Sequence, residues 1–178
     1  MTGDIEDVEM QGIIPRMVRT MFSRISSASE QIEFTVKISM VEIYMEKIRD
    51  LIDTSKNNLQ VADVKGRGIW IQDVTETYVV NEDEVYQYMR QGNANRSVSY
   101  TNMNAESSRS HSLFIITVTQ SNMEDLSVKS GALYLVDLAG SEKIGKTGAA
   151  GQTLDEAKMI NKSLTTLGKV INALTDKK

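Results

Sequence analysis

The chain has 178 residues, 40% of them hydrophobic and 25% charged, with no cysteine and a formal net charge of −4. That length supports one sizeable core, and the balance of residue types excludes disordered and fibrous classes. The lack of cysteine excludes disulfides and thiolate metal sites, and the acidic balance argues against wholesale attraction to nucleic acid. No apolar run approaches the roughly 20 residues that span a bilayer, and the opening MTGDIEDVEM is acidic where a secretory signal is basic and then apolar. A cytoplasmic protein with no membrane association is the expectation.

There is no internal repeat and no low-complexity tract, and Pro15 is the single proline, so no linker divides the chain. Ile14, Val18, Met21, Phe22 and Ile25 fall at helical spacing, which predicts a helix over 13–25 with Pro15 near its start. The β-branched run IEFTVKISMVEIY predicts a long strand over 32–44. Ile48, Leu51 and Ile52 fit a helical turn, and residues 59–80 read as short strands around the turn Lys65-Gly66-Arg67-Gly68. A helix from Glu82 to about Gln91 is capped by Asn81, carries acids in its first turn and stops at Gly92. Residues 93–112 are polar and aperiodic and read as a loop or irregular short helix. Strands follow at 112–120 and 132–138, then a glycine-rich loop. From Asp155 to about Leu174 an amphipathic helix places Ala157, Ile160, Leu164, Leu167, Val170, Ile171 and Leu174 on one face, with Ile160, Leu164 and Leu167 directed at the core. The class is α/β.

The chemistry concentrates in two segments, Asn104-Ala-Glu-Ser-Ser-Arg-Ser-His111 and Asp137-Leu-Ala-Gly-Ser-Glu142. An acid at the C-terminal end of a buried strand, followed by a glycine, suits a magnesium ion held through water and an open amide for a terminal phosphate. Asp137 and Gly140 have those positions, Ser107 and Ser108 offer hydroxyls, and an Arg109–Glu142 pair would couple the two loops. The ordinary alternative is that Asp137 caps a turn, the serines satisfy loop backbone, and Arg109 and Glu142 are solvated charges. His111, the only histidine, reads as a hydrogen-bonded structural residue rather than a proton carrier.

NAESSRSHS and LVDLAGSE closely resemble the switch I and switch II signatures of kinesin motors. The similarity runs through GIIPR, VEIYMEKIRDLID, TNMN and LDEAKMINKSLTTLGKVINAL, and looks most like conventional, cargo-carrying kinesin of the fungal type. The resemblance implies that residues 1–178 are part of a kinesin-type P-loop NTPase motor fold, a mixed sheet flanked by helices, with ATP and Mg²⁺ as cofactors. It implies contacts to magnesium and γ-phosphate for Ser107 and Ser108, and a positioning role for Asn104. Asp137 would hold magnesium through water, Gly140 would sense the γ-phosphate, and Arg109 with Glu142 would close the site. Microtubules are the implied partner, met by the loop and helix carrying Lys143, Lys146, Lys158 and Lys162, which implies a microtubule-associated, cytoskeletal location. Lys158 and Lys162, four apart, share one helix face. Cargo and light chains are left open.

Residues 140–147, Gly-Ser-Glu-Lys-Ile-Gly-Lys-Thr, satisfy the phosphate-loop pattern G-x-x-x-x-G-K-[ST]. A working loop needs a helix to begin at its Lys-Thr, whereas Gly148-Ala-Ala-Gly151 follows and Glu142 would put a carboxylate against the phosphates. The match is rejected. The resemblance instead places the family's phosphate loop ahead of the segment MTGDIEDVEMQGIIPR, so that weak or no ATP binding is expected of this chain alone, with the strand LYLVDL left at a sheet edge. A rival from a different class is a non-catalytic microtubule-binding protein with a degenerate motor fold.

Overall fold

The computed structural model describes residues 1–65, 68–101, 109–140 and 152–176. Helix α1 (Ile13–Ser26) is followed by the strands β1 (Ile32–Tyr44), β2 (Lys47–Asp50), β3 (Asn57–Leu59), β4 (Val61–Val64), β5 (Gly68–Ile71) and β6 (Thr77–Val79). Helix α2 (Glu82–Thr101), strands β7 (His111–Asn122) and β8 (Val128–Asp137), and helix α3 (Gln152–Thr175) complete the order.

The main sheet runs β3-β2-β1-β7-β8, with β6 also paired to β1, while β4 and β5 form a separate hairpin. A sheet flanked by helices is as expected, and every strand pairing among the described residues is antiparallel. β1 and β7 are in register from Ile32↔Asn122 to Ile43↔His111, and β7 and β8 from Ser121↔Val128 to Ser112↔Asp137. β8 is the last strand, so one edge of it carries no strand partner among the described residues.

Alternation along the strands decides which side chains meet. The registers create the rows Ile38–Ile116–Leu133 and Met40–Phe114–Leu135 on one face. Against this face pack Ile14 and Val18 of α1 and Val85, Tyr86 and Met89 of α2, which closes the core. The buried Tyr86 hydroxyl donates to the Pro15 carbonyl at 3.2 Å and ties the two helices together. The sequence-predicted helix over 13–25 and strand over 32–44 are therefore present, and the later strands are longer than expected.

Three expectations are corrected. Ile48 belongs to a strand, not a helical turn: β1 folds back into β2 through Met45 and Glu46, whose φ values of 48° and 62° make a two-residue reverse turn. The buried Asp50 then accepts backbone N–H bonds from Ile52 at 2.8 Å, Asp53 at 3.0 Å and Thr75 at 2.7 Å.

α2 is capped as expected, with Asn81 Oδ1 accepting from the Glu84 amide at 2.9 Å. It does not stop at Gly92, however, and continues to Thr101, so residues 93–101 are helical. Gly92 is there for close approach: a Cβ at this position would lie 2.2 Å from Met40 Sδ. The third correction concerns α3. Ile160 is buried and Leu164 is half-buried, but Leu167, Val170 and Ile171 are 39%, 50% and 51% exposed. The amphipathic pattern is real, and only the N-terminal part of the apolar face has a partner among the described residues.

Enlarging Gly92 is expected to separate α2 from β1. Gly92→Leu should lower stability by about 1–3 kcal/mol, read as a lower urea midpoint at unchanged slope. Gly92→Ala, which gains helix propensity and asks only the Met40 side chain to move, should lie much closer to the parent.

Candidate functional site

The row beyond Met40–Phe114–Leu135 is Glu42–Ser112–Asp137, so the apolar face ends in polar groups where three strands finish together. Glu42 is fully buried, and its Oε1 lies 3.8 Å from Arg96 Nε. The other end of the guanidinium donates to the Ser110 carbonyl at 3.2 Å and to Ser110 Oγ at 3.1 Å. Arg96 thus clamps the last residues of the first loop onto the sheet. Asp137 is exposed at the end of β8, and with Asn93, Arg96 and Ser112 it borders a small cleft that Met1 and Thr2 also line.

Because successive residues of a strand point to opposite faces, His111 projects away from the α1–α2 side, next to Ser112. Its Nδ1 accepts from the Ala139 amide at 2.9 Å, and its Nε2 lies 2.8 Å from Ser163 Oγ on α3. The Ser163 hydroxyl in turn donates to the Ile160 carbonyl at 2.8 Å. One imidazole therefore joins the start of β7, the loop after β8 and the terminal helix. The structural role expected of His111 is what the geometry shows. Burial pushes the His111 pKa below its ordinary value near 6.5, against a smaller upward pull from Glu46.

Of the sequence-predicted residues, Arg109, Asp137 and Gly140 flank the ends of the paired strands β7 and β8, but Arg109 lines a small cavity with Glu46, His111 and Ser163 on the α3 side, whereas Asp137 borders the cleft with Ser112 and Arg96. Asn104, Ser107, Ser108 and Glu142 lie outside the described residues, as does any Arg109–Glu142 pair. Lys143 and Lys146 do too. Lys158 and Lys162 are exposed on α3 as expected, each beside an acid, with Asp155 at 3.4 Å and Glu46 at 3.9 Å respectively. Exposed pairs of this kind are weak and leave both ammonium groups open to exchange partners.

Sequence reasoning missed Arg96 and Glu42. A glutamate inside the apolar run SMVEIY was the available signal, since a buried carboxylate needs a cation.

Among the described residues no cluster of three or more His, Cys, Asp or Glu side chains is placed to hold a metal. Magnesium binds through one or two carboxylates, water and substrate phosphates and needs no such cluster. The donor chemistry of Asp137 with neighbouring hydroxyls fits such an ion.

The whole chain, residues 1–178, matches the family described as Kinesin motor domain. It is 59% identical over 172 residues to kinesin-related protein 3 of Dictyostelium discoideum, covering 97% of this chain and 14% of that protein. It is 58% identical over all 178 residues to the kinesin heavy chain of the fungus Syncephalastrum racemosum, covering 19% of it. A solved fast kinesin, described with its ATPase mechanism and interactions with microtubules, superposes with a TM-score of 0.91 at 57% identity, over 99% of this chain and 50% of that one. A kinesin dimer in its two-heads-bound state, with AMP-PNP and in complex with a microtubule, gives 0.81 at 33% identity, over 96% and 50%. The fold is that of a motor-type α/β domain. The chain belongs to the kinesin motor domain family, and it spans about half of the solved motor chains and under a fifth of these curated relatives.

Two outcomes follow from the site. Arg96→Met should cost about 3–5 kcal/mol because it leaves Glu42 in the interior without its cation, while Glu42→Leu combined with Arg96→Met should recover most of that loss in urea unfolding. For His111 the folded-state pKa is depressed, so the unfolded chain binds the extra proton first and stability rises with pH. Its contribution is complete above the ordinary value near 6.5 and declines as pH falls toward the lowered folded-state value. The fall in melting temperature between about pH 7.5 and about pH 5.5 should shrink in His111→Asn.

Proposed function

We propose that this chain is part of an ATP-driven microtubule motor and carries the residues that sense magnesium and the γ-phosphate together with part of a microtubule-binding surface. The observation that supports this most directly is the pairing of Ser112 with Asp137 at the ends of two strands, with α3 bonded through His111 to Ala139, two residues beyond Asp137. A change at the phosphate-facing ends of the strands would then reach the helix that meets the partner.

In this reading Asp137 holds Mg²⁺ through water, Ser108 and Ser107 contact the metal and the γ-phosphate, and Asn104 orients the reacting groups. Magnesium, when bound, neutralises charge on the phosphate oxygens. The Gly140 amide, free of a side chain, receives the γ-phosphate, and Arg109 pairs with Glu142 to close the site over the attacking water. The sequence offers no usable phosphate-cradle pattern, since at the one match, 140–147, Gly148 and Gly151 oppose the helix start that a cradle requires. ATP binding by this chain alone is accordingly weak.

Microtubules are the proposed partner. Lys158 and Lys162 stand four apart and exposed on α3, with Lys143 and Lys146 in the preceding loop. Such cations suit an acidic surface and give a contact that salt weakens. A place on cytoplasmic microtubules follows from this partner.

The test is co-sedimentation of the purified chain with microtubules at low and moderate salt, with and without ATP. Salt-sensitive binding that ATP does not alter is expected, and Lys158→Ala with Lys162→Ala should weaken it on the order of ten-fold. Failure of the folded chain to pellet would remove the microtubule reading, and release by micromolar ATP would show that the phosphate cradle had been misjudged.

A further inference from the structure

We infer that His111 is a positioning residue that sets the backbone between Asp137 and Gly140 according to where α3 sits, through a hydrogen-bond chain that can run in one direction only. Three bonds carry the inference: Ala139 N–H to His111 Nδ1 at 2.9 Å, His111 Nε2 to Ser163 Oγ at 2.8 Å, and Ser163 Oγ to the Ile160 carbonyl at 2.8 Å.

The direction follows from the chemistry of the end groups. A backbone N–H can only donate, so Nδ1 must accept and carries no proton. In the neutral ring the proton is then on Nε2, which donates to Ser163 Oγ. The Ser163 hydroxyl has its own proton committed to the Ile160 carbonyl, which can only accept. Each group in the chain is used once and in its only consistent sense. His111 is 8% exposed and Ala139 5%, so water has little access to replace either partner.

Ala139 lies between Asp137 and Gly140, the two residues proposed for magnesium and the γ-phosphate, and the functional meaning of the relay rests on that reading. A hydrogen bond tolerates a few tenths of an ångström, whereas sliding a helix by one residue moves its side chains about 1.5 Å along the axis. Displacement of α3 therefore breaks the Ser163 contact rather than stretching it. Without that acceptor the Nε2–H of a buried ring is left unsatisfied, while the Ala139 N–H still fixes the tautomer. The ring must then turn to find another partner, and the Ala139 bond is weakened with it. The consequence is an on-or-off link between the partner-facing helix and the strand-end site.

Ser163→Ala removes the acceptor from α3 while leaving His111 and the loop intact in sequence. In the full chain, without nucleotide or microtubules, amide exchange at Ala139 should rise on the order of ten-fold relative to the parent. Ser163→Thr, which restores a hydroxyl, should return it to within about two-fold. Nitrogen-15 spectra of His111, unambiguous because it is the only histidine, should show Nδ1 unprotonated and Nε2 protonated in the parent. Unchanged exchange at Ala139 in a folded Ser163→Ala chain, equal disturbance by the Ala and Thr variants, or the opposite tautomer would each overturn the relay. None of these readouts requires nucleotide or microtubules, so failure of the motor reading and failure of the relay are separately visible.

Discussion

The unbroken antiparallel ladder between β1 and β7 is the constraint on which the rest of the molecule depends. Its register runs from Ile32↔Asn122 to Ile43↔His111 without a shift. A one-residue slip would exchange the two faces of β7 and send Phe114 and Ile116 away from α1 and α2. The same slip would put His111 on the helix-covered side and Ser112 opposite α3. Core and site are thus specified by one alignment, and hydrophobic burial along its middle holds the polar groups at its end.

Those polar groups are not accidents of a poorly filled core. Glu42 and Asp50 are both buried, and each organises a segment that has no apolar face of its own. Asp50 collects three backbone N–H groups from the turn after β2 and from residue 75. Glu42 receives Arg96, which passes the connection on to Ser110. Burying a carboxylate is costly; Asp50 is tolerable because its donors are supplied in place, and Glu42 has a guanidinium 3.8 Å away. The return is positional: the loop leading into β7 is held against the sheet by directional bonds where apolar packing stops.

Two surfaces stay open. Among the described residues β8 has no strand on its outer edge, and Leu133, Tyr134 and Val136 are exposed along it. The C-terminal half of α3 shows the same imbalance, with Leu174 81% exposed. α3 nevertheless begins as a packed element: Ile160 is buried and Ser163 is bonded to His111, so the part of the helix nearest the strand ends is the part that is held.

Much of this was legible before any coordinates. Helical periodicity marked α1 and α3, β-branched alternation marked β1 and β7, and Asn81 announced the start of α2. Asp137 and Gly140 could be singled out because their segment occurs together with a second, hydroxyl-rich one and both resemble the switch signatures of the family. Local rules failed where a distant residue decided the outcome. Gly92 looks like a helix stop until Met40 is seen to occupy the space a side chain would need. Ile48 looks helical until the turn at Met45 and Glu46 pairs it with Ile43. The sequence by itself determined the elements, the family and the identity of the chemical groups, because those depend on neighbours a few residues apart. Tertiary structure alone decided that Arg96 serves Glu42 and Ser110, and that His111 joins Ala139 to Ser163. Those partners lie 14 to 54 residues apart along the chain, and only the packing of α2 and α3 against the paired strands brings them together.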